Sequence, residues 1–199
     1  MTEPSYQACL VEAELRARAS YAEPHRRYHT EQHLDDCLLQ VDDLLDLAER
    51  DRRRLRWAIL WHDAIYESGA RDNEVRSAAL AKSELTACGA DPADIAEVVR
   101  LVLLTESHRA PEEDYLGALM ISIDLSILGS DPQRYREYSE ATREEYAHVP
   151  DELWRAGRGA VLRRMLHTDT LYPNPQYRGA LEEQARRNIT DELRVLAGD

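Results

Sequence analysis

The chain has 199 residues, enough for a single domain to bury a large fraction of its surface around one core without a covalent staple. It carries 25 Lys plus Arg against 38 Asp plus Glu, and the resulting net charge of −13 is spread along its length, which argues against a nucleic-acid polymer or an anionic membrane as partner. Cys9, Cys37 and Cys88 are widely spaced with no Cys-x-x-Cys pair, so neither a disulfide framework nor a thiolate zinc site is suggested. They are expected to be small core residues in a reducing compartment. No window approaches the roughly twenty apolar residues of a membrane span. The N-terminus lacks a basic segment followed by an apolar run, and a cytoplasmic protein is the expectation.

In chain order, the pattern from Ser5 to about Ala19 is an amphipathic helix, with Leu10, Val11 and Leu15 opposite Glu12, Glu14 and Arg16. After a loop at Pro24, Thr30 is a candidate N-cap for a second helix whose leucine stripe runs from Leu34 to Leu47. That register puts His33 in the first turn and His29 just outside it. A third helix is expected over Asp51 to Tyr66, ending near Gly69. The fourth opens at Asp72-Asn73-Glu74 and closes at Gly89. A fifth starts with Asp91 as N-cap and Pro92 at the first helical position, buries Ile95, Val98, Val99, Val102 and Leu103, and runs to about His108. The run Leu119 to Leu125 could pass for a buried strand, but no second strand exists to pair with it, so it is assigned to a helix. Further helices follow from Pro132 to Tyr146, from Pro150-Asp151 to about His167, and from Gln176 to Ala197. The expected fold is all-α, a single domain over residues 1–199 with about eight helices.

Trp57 to Tyr66 is apolar through every turn except for the doublet His62-Asp63, so that helix should be buried on most sides. A buried imidazole and carboxylate need hydrogen bonds, a cation or a metal. Two further polar residues interrupt apolar faces: His33 ahead of the leucine stripe, and Asp124 between Ile123 and Leu125. Two imidazoles and two carboxylates suit a divalent ion of octahedral preference with positions left for water, whereas structural zinc would favour sulfur.

The order His33, then His62-Asp63, then Asp124 resembles the HD domain of metal-dependent phosphohydrolases. The likeness extends to Tyr28-His29-x-x-x-His33, Ile59 to Tyr66, Asp72-Asn73-Glu74-x-x-Ser77-Ala78, Thr105-x-x-His108, Asp124 to Gly129 and Arg143-x-Glu145-Tyr146. These six ordered blocks are similar to a subfamily of predicted HD phosphohydrolases and cover Tyr21 to Asn188. The resemblance implies an HD-type helical bundle in which His33, His62, Asp63 and Asp124 bind a divalent ion (Mn, Fe, Co, Ni, Mg or Zn), with Asp63 also catalytic. His108 is either an additional ligand or a helix-terminal cation opposing the dipole. The family pattern has an aspartate where this chain has Ser122.

Such an ion would lower the pKa of bound water toward ~7 and polarise a phosphoryl oxygen. Arg26 and His29 are the first candidates to neutralise transition-state charge, and Asn73 and Glu74 open a helix whose N-terminus could receive a phosphate or organise water. Arg143, Glu145, Tyr146, Arg158 and Asn188 are given structural parts. The expected activity is hydrolysis of a small phosphorylated compound, with a nucleotide as the family-level choice. The alternative, favoured by Ser122, is a metal-containing ligand sensor or interaction protein without turnover.

Overall fold

A computed structural model describes residues 5–198, so the extreme ends of the expected 1–199 domain lie outside the described residues. Nine α-helices and one 3-10 helix, with no strand, make up the secondary structure of the described residues. The chain divides into two compact units between Arg109 and Ala110.

The first unit holds α1 (Tyr6–Tyr21), α2 (Glu31–Asp42), α3 (Glu49–Trp61), α4 (Asn73–Ala87) and α5 (Pro92–Ser107). Helix α3 is its centre and packs against the other four. Trp57, Ala58, Ile59, Leu60 and Trp61 are consecutive buried residues, because a helix enclosed on all sides needs apolar side chains around its whole circumference. Asp91 caps α5 as expected, accepting hydrogen bonds from the amides of Ala93 and Asp94 with Pro92 in the first turn. Asp94 is 3 % exposed yet charged. Burial opposes its ionisation, but Arg50, Arg54 and Arg53 surround the carboxylate and hold its pKa below the ordinary value.

Several expectations are corrected in this unit. The buried stripe of α1 is Ala13, Ala17 and Tyr21, while Val11 and Leu15 are exposed; small residues at this spacing let α1 approach its neighbours closely. Helix α2 ends at Asp42, leaving Leu44 to Leu47 in turns with Leu45 exposed. In α5, Leu101 takes the buried position expected for Leu103. Helix α3 stops at Trp61, not Tyr66, and Gly69 lies in a separate turn with φ +87.

The cysteines also differ from expectation. Cys9 and Cys88 form a disulfide with Cα atoms 5.4 Å apart, within the range such bonds require, and only Cys37 is free. The fold brings the start of α1 to the end of α4, a proximity that a sequence separation of 79 residues conceals. This removes the cysteine-based argument for a reducing compartment. Among the described residues no helix is long and apolar enough to cross a membrane.

The second unit comprises α6 (Tyr115–Asp124), the 3-10 helix (Leu125–Gly129), α7 (Pro132–Glu145), α8 (Asp151–Leu166) and α9 (Pro175–Ala197). The ambiguous run 119–125 is helical up to Asp124, as expected. At Gly129 a Cβ would stand 2.6 Å from Leu181 Cβ and 2.9 Å from the Leu181 carbonyl oxygen, so only glycine allows the 3-10 helix to meet α9 this closely. The structural parts given to Arg158 and Asn188 are seen directly. Arg158 donates to both oxygens of the buried Glu192 carboxylate, which also accepts from Tyr135 Oη at 2.6 Å. Asn188 donates to the carbonyls of Leu128 and Ser130. Arg143 donates to the Tyr146 and Val149 carbonyls and to Asp151, pinning the α7–α8 turn.

Closing a loop of 79 residues removes conformational freedom from the unfolded chain. Reduction, or the double substitution Cys9→Ser with Cys88→Ser, is expected to lower the unfolding free energy by about 2–4 kcal/mol. Paired denaturant melts measure this; identical midpoints for oxidised and reduced protein would refute it.

Candidate metal centre

The end of α3 sets the geometry. In a continuing helix the Ile59 carbonyl would accept the Asp63 amide. Here the Asp63 amide instead donates to Tyr21 Oη at 3.2 Å, and the Ile59 carbonyl accepts from His62 Nδ1 at 2.8 Å. A carbonyl can only accept, so Nδ1 carries a proton, and in the neutral ring Nε2 is then the nitrogen with the lone pair. Burial pushes the Tyr21 phenol pKa well above its ordinary value, and its hydroxyl also donates to the Leu60 carbonyl at 3.2 Å.

Polar side chains from other elements replace the helical ladder through the next residues. Ser77 Oγ accepts from the Ile65 amide and donates to the Ile65 carbonyl. Asn73 pairs its side-chain amide with both backbone groups of Glu67, at 3.1 and 3.0 Å. His25 Nε2 meets the Tyr66 carbonyl at 2.8 Å. Arg26 Nη1 donates to the carbonyls of Asp63 and His29, and Nη2 donates to that of Ala64. The Arg26 guanidinium also faces the rings of Tyr21 and Tyr66, with its central carbon 5.1 and 5.6 Å from their centroids.

Against this frame three donor atoms converge. His33, in the first turn of α2 and 4 % exposed, places Nε2 3.1 Å from His62 Nε2. Asp63 Oδ2 stands 3.1 Å from His62 Nε2 and 3.7 Å from His33 Nε2. Ligand atoms each about 2.0–2.2 Å from an ion, in adjacent octahedral positions, lie about 3 Å from one another. The two 3.1 Å separations match that spacing, and His33 and His62, both buried, belong to a cluster that could hold a metal ion.

The other sequence-derived candidates fall into place unequally. His29 is just outside α2, half-buried, with Nε2 4.0 Å from Asp63 Oδ2 and its ring stacked on Tyr66 at 4.0 Å between centroids. Arg26 and Asn73 are buried; Arg26 is held by three carbonyls and, through Nε at 3.0 Å, by Glu23, and Asn73 by the Glu67 backbone, so both position the turn. Thr30 and Asp72 occupy N-cap positions of α2 and α4 without a side-chain capping bond. Glu74 is half-buried in the first turn of α4. His108 ends α5 in the left-handed conformation, the sole non-glycine residue with positive φ among those described. In the second unit, Asp124 is half-buried at the junction of α6 and the 3-10 helix. Ser122 there is fully buried and its Oγ accepts the Asn174 amide at 3.1 Å, which ties α6 to the start of α9.

Tyr21, Ser77 and Tyr28 were not singled out from sequence as parts of the centre. Ser77 and Tyr28 lie within the family-like blocks, whereas nothing in the sequence around Tyr21 signals its part.

No family model, curated protein or solved structure matches the chain.

Arg26→Met is expected to lower the unfolding free energy by about 2–4 kcal/mol in chelator-treated protein, because one buried and two part-buried carbonyls lose their donor. Thermal melts in excess chelator check this. An unchanged midpoint would return Arg26 to the role of substrate contact.

Proposed function

We propose that the chain is a metal-dependent phosphohydrolase acting on a small phosphorylated compound, of which a nucleotide is one candidate. The observation that supports it most is the convergence of His33 Nε2, His62 Nε2 and Asp63 Oδ2, with two of their three separations at octahedral ligand spacing. In this reading those three residues are ligands of one divalent ion. When bound, the ion would acidify a coordinated water and polarise a phosphoryl oxygen.

The residues around it have separable tasks. The Ile59 carbonyl holds the Nδ1 proton of His62, so that the neutral ring would offer Nε2 to the ion. Asp63 would offer Oδ2 as ligand, and its carboxylate would accept the proton of the attacking water. His29, half-exposed beside Asp63 and stacked on Tyr66, can donate to a phosphoryl oxygen as charge develops. The chain's charge of −13 disfavours a polyanionic substrate and fits a small one.

The commitment of Arg26 to three carbonyls supports one rival reading, a metal-containing ligand sensor without turnover, since it leaves the centre without the guanidinium expected to neutralise a transition state. A screen of nucleotides and phosphomonoesters with manganese, cobalt, nickel or magnesium separates the two. Phosphate release that disappears with chelator and in His62→Ala is the expected result. Bound ion and calorimetric nucleotide binding, with no turnover of any compound, would favour the sensor.

A further inference from the structure

The two imidazoles that converge at the centre are not held alike. His62 is fixed by a group that can only accept, the Ile59 carbonyl at 2.8 Å from Nδ1. His33 Nδ1 faces Tyr28 Oη at 3.1 Å, a hydroxyl that both donates and accepts, with the Cys37 thiol behind it at 3.8 Å. Tyr28 is 8 % exposed, lies just before α2, and packs its ring on His33 at 4.8 Å and edge-on to His29 at 4.9 Å between centroids.

We infer that Tyr28 is a positioning residue for the metal centre, orienting His33 so that Nε2 faces the ion while its own oxygen accepts the Nδ1 proton. This rests on the metal-centre reading above. A neutral imidazole that gives its Nε2 lone pair to a cation must carry its proton on Nδ1. That N–H is buried and requires an acceptor. Of the two groups at Nδ1, the phenol oxygen is closer and the stronger acceptor, since a thiol sulfur accepts weakly. The opposite arrangement, in which Tyr28 donates to Nδ1, puts the His33 proton on Nε2, where it points at His62 Nε2 and blocks ligation. Ligation through Nε2 therefore requires the Tyr28 hydroxyl to act as acceptor, one of the two roles open to it. No comparable freedom exists at His62.

Partners of this kind, on the ring nitrogen opposite the metal, contribute about 10- to 100-fold in affinity. Tyr28→Phe removes one oxygen and keeps the ring packed on His33 and His29. Zinc and cobalt dissociation constants, measured by competition with a chelator, are expected to rise about 10- to 100-fold in this variant. Its melting midpoint in chelator should stay close to that of the wild type, which a merely structural residue would not allow. Affinities within twofold of wild type would overturn the inference about Tyr28 and leave the metal centre standing. Wild-type protein that binds neither ion would overturn both.

Nitrogen-15 NMR of the zinc-loaded wild type gives a second readout that does not depend on the variant folding. His33 should show a protonated Nδ1 and a zinc-bound Nε2. Ligation through Nδ1, the nitrogen that faces Tyr28, would sink the proposal.

Discussion

The centre depends on the break in α3 after Trp61. One more turn of helix would give the Asp63 amide to the Ile59 carbonyl, and that carbonyl would no longer be the fixed acceptor for His62 Nδ1. Because the helix stops, His62 acquires a defined tautomer and Asp63 turns its carboxylate toward two imidazoles. The break is stabilised from outside. Tyr21, Ser77, Asn73, His25 and Arg26 supply hydrogen bonds to backbone groups of residues 63–67 that a continuing helix would have satisfied itself.

This arrangement separates the groups that offer lone pairs from those that aim them. His33, His62 and Asp63 converge, while Asn73 is turned onto backbone and Arg26 onto backbone and Glu23. The one imidazole beside Asp63 that keeps some exposure is His29, stacked on Tyr66. Ser122 has a definite task as well. By accepting the Asn174 amide it anchors the start of α9 in the second unit, so the residue that departs from the family-like pattern serves as a buried hydrogen-bond acceptor.

Elements whose signals are local were legible in the sequence. Asp91-Pro92 opens α5, the Pro173-Asn174-Pro175 turn precedes α9, and the lack of any strand to pair with Leu119–Leu125 correctly made that run helical. His33 and the His62-Asp63 doublet stood out because polar residues interrupt apolar faces, and the structure brings these three together. The end of α3 was not legible, because Ala64, Ile65 and Tyr66 continue an apolar pattern while the groups that stop the helix lie on α1, on α4 and in the loop before α2. The Cys9–Cys88 bridge was hidden for the same reason: contact across 79 residues is a property of the packed helices. Arg26 looked like a free cation for an anion, since sequence shows charge and not the carbonyls that absorb it.

The proposed binding of one divalent ion by the His33, His62 and Asp63 cluster is tested most directly by elemental analysis of the purified protein. For protein expressed with iron, manganese, cobalt, nickel and zinc available and purified without chelator, the account predicts about one ion per chain, absent from Asp63→Ala. No stoichiometric metal in the wild type, or a full complement retained in Asp63→Ala, would contradict it.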